Sequence, residues 1–166
     1  MRKEQGIEII DSFDGDFRFL SNFFPCNIRR GIDIVWHTSE NAFQAAKALG
    51  TDHFKEFMAM TPGQSKREGK KLELRPDWEE VKIGVMYHIV LDKFSQNLEL
   101  RLKLLETRNA LIVEGNTWND NFWGVHHEPE EELPLSVINA SCLPCAENNH
   151  LGRILMIVRF HLSLTH

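Results

Sequence analysis

Glu40, Phe43, Gln44 and Lys47 stand at positions i, i+3, i+4 and i+7, the spacing that places four side chains on one face of an α-helix. An acid, an amide, a cation and a ring on one face can hold a polar substrate and move a proton. The plain alternative is that Glu40 is a first-turn acid favoured by the helix field and that the face is solvated. Phe43 weighs against it, since an exposed ring gains nothing unless something packs on it. A second cluster runs from Trp118 to Gly124 and holds three aromatics, Asp120 and two asparagines in seven residues. A strand would alternate, and a helix would not hold two Asn, an Asp and a Gly, so a rigid loop is expected. Asp120 is the second carboxylate. Paired with Glu40 it would allow one group to protonate a leaving nitrogen or steady a cationic sugar while the other orients water. Trp118 or Trp123 could stack on a base. Eighty residues separate the two acids, and spacing leaves open whether they meet.

Two further groups have suitable chemistry. Arg18, Ser21 and Asn22 lie in the aromatic stretch Phe17 to Pro25. Its rings read as packing, but a buried Asn22 would need partners and could fix a ligand amide or a ribose hydroxyl. Arg75, Asp77, Trp78 and Lys82 cluster where a loop meets a long helix. Arg75 has the fork that matches phosphate oxygens, with Lys66 and Arg67 as further phosphate candidates against a plain reading as solvated surface. Cys142 and Cys145, with His126, His127 and His150 in reach, have the residue types of a zinc site. The irregular His spacing and Pro144 between the thiols favour plain thiols.

The elements that must position these residues are mostly helical. Ile7 to Ile10 reads as a strand, and Arg30-Gly31 as a turn between two short strands over Ile28 to Val35. Ser39 is the expected N-cap of a helix running to about Leu49 and stopped by Gly50 just beyond it, and Thr51 that of a short helix with Phe54, Phe57 and Met58. A basic helix with Lys66, Arg67, Lys70 and Lys71 follows Pro62-Gly63. Asp77 is the expected cap of a long helix with two apolar stripes, one through Trp78, Val81, Val85 and Ile89, the other through Ile83, Met86, Tyr87, Val90 and Phe94. Such a helix is wrapped by neighbours. Leu98, Leu102 and Leu105 mark another amphipathic helix, and Leu111 to Glu114 a short strand. The last helix starts near Asn149, with Leu151, Ile154, Leu155, Val158 and Leu162 on one face. The fold class is therefore mainly α (α+β), multihelical, with a few short N-terminal and edge strands.

With 166 residues, 42% of them apolar, the chain can bury a full core, and a single domain over 1–166 is expected. No apolar run approaches a membrane span. Met1 to Gly6 has no apolar stretch behind its basic pair, so a cytoplasmic protein is expected. Net charge is −5, with an acidic run over 128–132, which argues against broad electrostatic binding to duplex nucleic acid. Three cysteines in such a chain speak for free thiols.

Several separated stretches share an order. They are Phe19-Leu20-Ser21-Asn22-Phe23-Phe24-Pro25, then Trp36 and Thr38 to Ala45 with Lys47, then Arg75 to Glu79 with Lys82. Val85-Met86, Lys93-Phe94 and Asn97 come next, followed by Trp118-Asn119-Asp120, Trp123-Gly124, Asn149, Leu151-Gly152, Leu155-Met156 and Arg159. Together they resemble the NADAR superfamily, also called the YbiA-like family, over nearly the whole chain. The resemblance implies a YbiA-like domain and an N-glycosidase without cofactor or metal. It implies a phosphoribosyl substrate, an intermediate of riboflavin biosynthesis, or an ADP-ribosyl one, with ADP-ribosylated nucleic acid as a further partner. Carried over by position, Glu40 is the principal catalytic residue, with Asp120 and Trp123 completing the pocket. Asn22 and Lys47 would contact substrate, and Asn149 would meet phosphate or ribose at the N-terminus of the last helix. The remaining candidates for the substrate are Arg18, Phe43, Gln44, Arg75 and Trp118.

Two departures stand out. Asn41 occupies a position where the family commonly has His, and an amide cannot titrate there. The 125–148 segment, with three prolines, the acidic run and two cysteines, is long for this family and shows little period. Two other readings compete with hydrolysis. One is a module that binds a nucleotide or ADP-ribose without cleaving it. The other is a partner-binding protein that uses the acidic segment.

Overall fold

The computed structural model describes residues 1–165. The chain forms two compact units, Ser21–Arg101 and Met1–Leu20 with Leu102–His166. Helix accounts for 48% and strand for 10%, which makes the protein mainly α within the α+β class.

In the unit Ser21–Arg101, Ile28–Arg29 (β1) and Val35–Trp36 (β2) pair antiparallel, with Gly31 at φ +77° turning the chain between them. The turn expected at Arg30-Gly31 is there. Helix α1, Ser39–Lys47, carries the acid, and its cap is Thr38 rather than Ser39. Thr38 is extended and its Oγ1 accepts the N–H of Asn41, which a residue already inside the helix cannot do. A 3₁₀ stretch, Asp52–Ala59, follows. Thr51 does not cap it with its side chain and instead donates to the Ala48 carbonyl at 2.8 Å. Thr61 opens α2, Pro62–Gly69, with a reciprocal capping box to Gln64.

Helix α3, Trp78–Gln96, is the long helix expected, but two details differ. Asp77 makes no cap hydrogen bond, because its carboxylate is paired with Arg75. Only one apolar face is fully used: Trp78, Met86, Ile89, Val90, Lys93 and Phe94 are buried while Ile83 is exposed. Helix α4, Leu98–Glu106, buries Leu100 and Leu104 and exposes Leu98 and Leu102, so the expected leucine face is turned by about half a turn. Helix α1 packs on α2, on the 3₁₀ stretch and on α3.

In the other unit, Arg2–Glu4 (β3) and Ile7–Ile10 (β4) form an antiparallel pair, and β4 runs parallel to Leu111–Ile112 (β5). The aromatic stretch begins with a 3₁₀ turn over Gly15–Leu20. Gly115–Asn116 (β6) pairs parallel with Val125–His126 (β7). Leu135–Ser141 is α5 and His150–Ser163 is α6. The 125–148 segment, which shows little period in sequence, thus holds a strand and a helix. Its Val125, Leu133 and Ile138 join Ile9 and Val113 in one core cluster. These apolar residues are too widely spaced to register as a pattern, yet burial still selects them. Helix α6 lays Leu151, Ile154, Leu155, Val158 and Leu162 inward, as its spacing predicts.

Candidate active site

Helix α1 turns its acid inward. Glu40 is 6% exposed, Phe43 4% and Gln44 5%, so the solvated-face alternative does not describe this helix. A buried carboxylate needs donors, and Gln44 supplies one from the next turn: its Nε2 lies 2.8 Å from Glu40 Oε1. Gln44 itself is seated by Gly69 of α2, where a Cβ would run into its Oε1. That Oε1 is buried and unpartnered within the protein.

Lys47, one turn further on, is half-buried. Its Nζ lies 5.6 Å from the Phe43 ring centre and 5.8 Å from that of Trp78, and the two rings are 5.3 Å apart and tilted. Burial pushes the Lys47 ammonium below its ordinary value. Glu40 and Glu79 pull it back up, and the charges of Lys66 on α2 and Lys70 just after it push it down. Glu40 thus has a donor in Gln44, and Lys47 on the same face has two rings beside it and the charges of Lys66 and Lys70 acting on it, which suits an anionic substrate.

Asn22 comes to the same helix end from the loop. Its carbonyl accepts the Glu40 N–H at 3.0 Å. Its side chain, 8% exposed, donates weakly to Met86 Sδ at 3.5 Å, and its Oδ1 has no partner within the protein. Buried acceptors without partners, as at Asn22 and Gln44, are the places where a ligand's donors fit. Asn41 is used differently. Its Nδ2 is within 3.0 Å of Phe57 O, Met60 O and Ser65 Oγ, so the amide ties α1 to the 3₁₀ stretch and α2.

The structure thus brings Asn22, Glu40, Phe43, Gln44 and Lys47 together, and adds Trp78. Arg75 is exposed and paired with Asp77. Arg18, also exposed, lies in the last turn of the 3₁₀ stretch Gly15–Leu20 in the other unit.

Asp120, Trp118, Trp123 and Asn149 belong to that other unit and form a web of their own. Asp120 Oδ1 accepts the N–H groups of Phe122 and Trp123 at 3.0 and 2.8 Å, and Asn116 bonds both main-chain groups of Asp120. The carbonyls of Phe122 and Trp123 then accept the first N–H groups of α6, from His150 and Leu151. Asn149 is wholly buried. Its Oδ1 accepts the Glu114 N–H and its Nδ2 donates to Ile112 O. These bonds give Asp120 and Asn149 duties in the fold, and the start of α6 already has carbonyl partners. Trp118 is 62% exposed and Trp123 half-buried.

Cys142 is half-buried with its thiol raised by burial, and Cys145 is exposed. Among the described residues no group of three or more His, Cys, Asp and Glu could hold a metal.

Sequence reasoning missed Lys93. It is 1% exposed, its Nζ donates to Ser21 O at 2.9 Å, and burial holds it at about 8. The available signal was a lysine inside the apolar stripe Ile89, Val90 and Phe94.

A NADAR domain profile matches residues 11–163. The chain belongs to the NADAR family. An N-glycosidase of Nostoc punctiforme is 34% identical to this NADAR domain over 149 residues, 84% of this chain and 81% of that protein. N-glycosidase YbiA of Escherichia coli K12 is 38% identical over 117 residues, 68% of this chain and 71% of that one. The chloroplastic riboflavin biosynthesis protein PYRR of Zea mays is 32% identical over 160 residues, 86% of this chain, but this chain spans only 23% of the maize protein. The NMR structure of E. coli YbiA shares the fold, with a TM-score of 0.73 and 30% identity over 96% of this NADAR domain and 88% of that chain. No described helix is long and apolar enough to cross a membrane.

Proposed function

We propose that this chain hydrolyses the bond between a ribose carbon and a base or amine nitrogen, with Glu40 as the principal catalytic carboxylate. The chain is an enzyme of the N-glycosidase class, for which its relatives from Nostoc and E. coli are named. The observation that carries the assignment to Glu40 is its burial together with its hydrogen bond from Gln44. A carboxylate fixed in this way needs no reorganisation when positive charge appears beside it.

As the C–N bond breaks, the ribosyl ring gains oxocarbenium character. Glu40 stabilises that charge and draws a proton from the attacking water, the departing nitrogen takes a proton from solvent, and Glu40 then returns its own to solvent. The free acceptors Asn22 Oδ1 and Gln44 Oε1 receive hydroxyl or amine donors of the substrate. Lys47, with Lys66 and Lys70 acting on it, takes the phosphate. Phe43 and Trp78 form the apolar wall behind it. A phosphoribosyl-aminopyrimidine is the first substrate to try, since the maize and Vibrio vulnificus relatives are named riboflavin biosynthesis proteins. An ADP-ribosyl group shares the sugar and the charge and is the second.

Incubation with each substrate, followed by assay of freed base and sugar, tests the reading. Glu40→Gln keeps the size and the Gln44 neighbour, so it should fold normally and lose roughly a thousandfold in kcat. No product from either substrate, or a Glu40→Gln enzyme as fast as wild type, would sink the assignment. Saturable binding of an intact ligand would favour a binding module.

A further inference from the structure

Lys93 is a cation in an apolar place. It is 1% exposed on the buried face of α3, and the rings of Phe24 and Phe94 lie 5.9 and 5.1 Å from its Nζ. Among the described residues no carboxylate pairs with it, and its hydrogen-bond acceptor is one backbone carbonyl, Ser21 O. Burying an unpaired ammonium destabilises a fold, so its position calls for a reason other than stability.

The geometry supplies one. Ser21 and Asn22 present successive carbonyls: the first accepts Lys93 Nζ at 2.9 Å and the second accepts the Glu40 N–H at 3.0 Å. Asn22 also reaches Met86 Sδ, two turns before Lys93 on the same face of α3. Asn97, one turn beyond Lys93, donates to Asn27 O and Lys93 O at 3.0 and 2.8 Å and holds the far end of the loop. We propose that Lys93 is a positioning residue for the Glu40 site, whose ammonium draws the Ser21 carbonyl onto α3 and so sets the Asn22 side chain beside the catalytic carboxylate. This rests on Glu40 being that carboxylate.

Deprotonation of Lys93 weakens the hold on Ser21. The charged and titratable groups on the elements packed against it are few. Cys26 in the loop is the one whose charge acts on Lys93. From β1 and the turn after it come Arg29, exposed, and Arg30, paired with Asp92 of α3. From α1 come Glu40, bonded to Gln44, and Lys47, which faces Phe43 and Trp78. The Cys26 charge favours the protonated lysine, but burial outweighs it and none of the others opposes it, so the loop should loosen as pH rises through about 8.

The test follows the Met86 methyl by ¹³C NMR in the substrate-free protein, assigned with Met86→Leu. In wild type the resonance should move between about pH 6.5 and 9.5, with its midpoint near 8. In Lys93→Met it should stay flat. With a phosphoribosyl-aminopyrimidine, Lys93→Met should lose at least roughly tenfold in kcat with KM within about threefold. Wild-type kcat should fall as pH rises through about 8, and Lys93→Arg should recover part of the rate lost in Lys93→Met without that fall. A lysine that merely stabilised the fold would move none of these pH responses. A wild-type methyl that does not titrate, or a Lys93→Met enzyme with wild-type kcat, overturns the proposal. The wild-type titration decides even if Lys93→Met fails to fold. Because it is read without substrate, it stands or falls separately from the glycosidase reading.

Discussion

Glu40 and Lys93 are both buried charges, and the protein treats them differently. Glu40 has Gln44 as a donor, whereas Lys93 has one carbonyl and two ring faces. Lys93 titrates at about 8 in the fold against 10.5 for a free lysine, so between those values the unfolded chain binds more protons than the folded one. Stability from this residue therefore rises as pH climbs from 8 to 10.5 and is lowest below 8. Replacing Lys93 by Met should raise stability at pH 7 by up to about 3 kcal/mol, less the loss of the Ser21 bond. Paired thermal melts should show that advantage shrinking towards pH 10. A variant more stable yet slower is the expected pattern for a residue kept for function. At this scale the sequence was legible where residue types converge at helical spacing, as in Glu40, Phe43, Gln44 and Lys47. It was not legible at Lys93, because an apolar stripe tolerates one lysine that reaches for water. For Asn149 and Asp120 residue type showed polar groups of consequence but not the bonds by which they brace the loop, because those partners are set by tertiary contact.

Among the elements, the contact of α1 with α2 decides whether Gln44 can orient Glu40. Gly69 is the close-approach point, and a methyl there would strike Gln44 Oε1. Gly69→Ala should displace Gln44, with a stability loss of roughly 1–3 kcal/mol and a fall in kcat of about tenfold or more. Chemical denaturation and steady-state rates on one preparation measure both. A wild-type kcat in that variant would show that Gln44 need not be fixed. Helices α1 and α3 and the β1–β2 turn were readable from periodicity and turn residues. Cap identities were less so: Thr38 and Ser39 are chemically alike, and only backbone conformation shows which oxygen can reach the Asn41 N–H. Asp77 was claimed by the competing Arg75. The turned leucine face of α4 and the helix inside 125–148 depend on tertiary burial, which local pattern does not encode.

Across the whole molecule each unit has its own organising point. In the unit Ser21–Arg101 it is α1, bound by Asn41 to its neighbours. In the other it is the loop from Asp120 to Gly124, which links the acid to the first turn of α6. Asp120→Asn retains an Oδ1 acceptor, so its melting temperature should stay within about 2 °C of wild type, and hydrolysis should fall less than tenfold. Asp120→Ala removes the acceptor and should cost roughly 1–3 kcal/mol. If Asp120→Asn matched the loss of Glu40→Gln, the carboxylate would be needed for chemistry as well as for the loop. The four tryptophans sample very different surroundings: Trp118 is largely in water, while Trp78 is buried against Phe43 with the Lys47 ammonium beside it. An indole next to a movable cation is an optical reporter. When an anion draws Lys47 away from that ring, the short-wavelength part of the protein's own emission should change while the red emission of Trp118 serves as an internal reference, so occupancy of the site can be followed by light alone, without label or turnover.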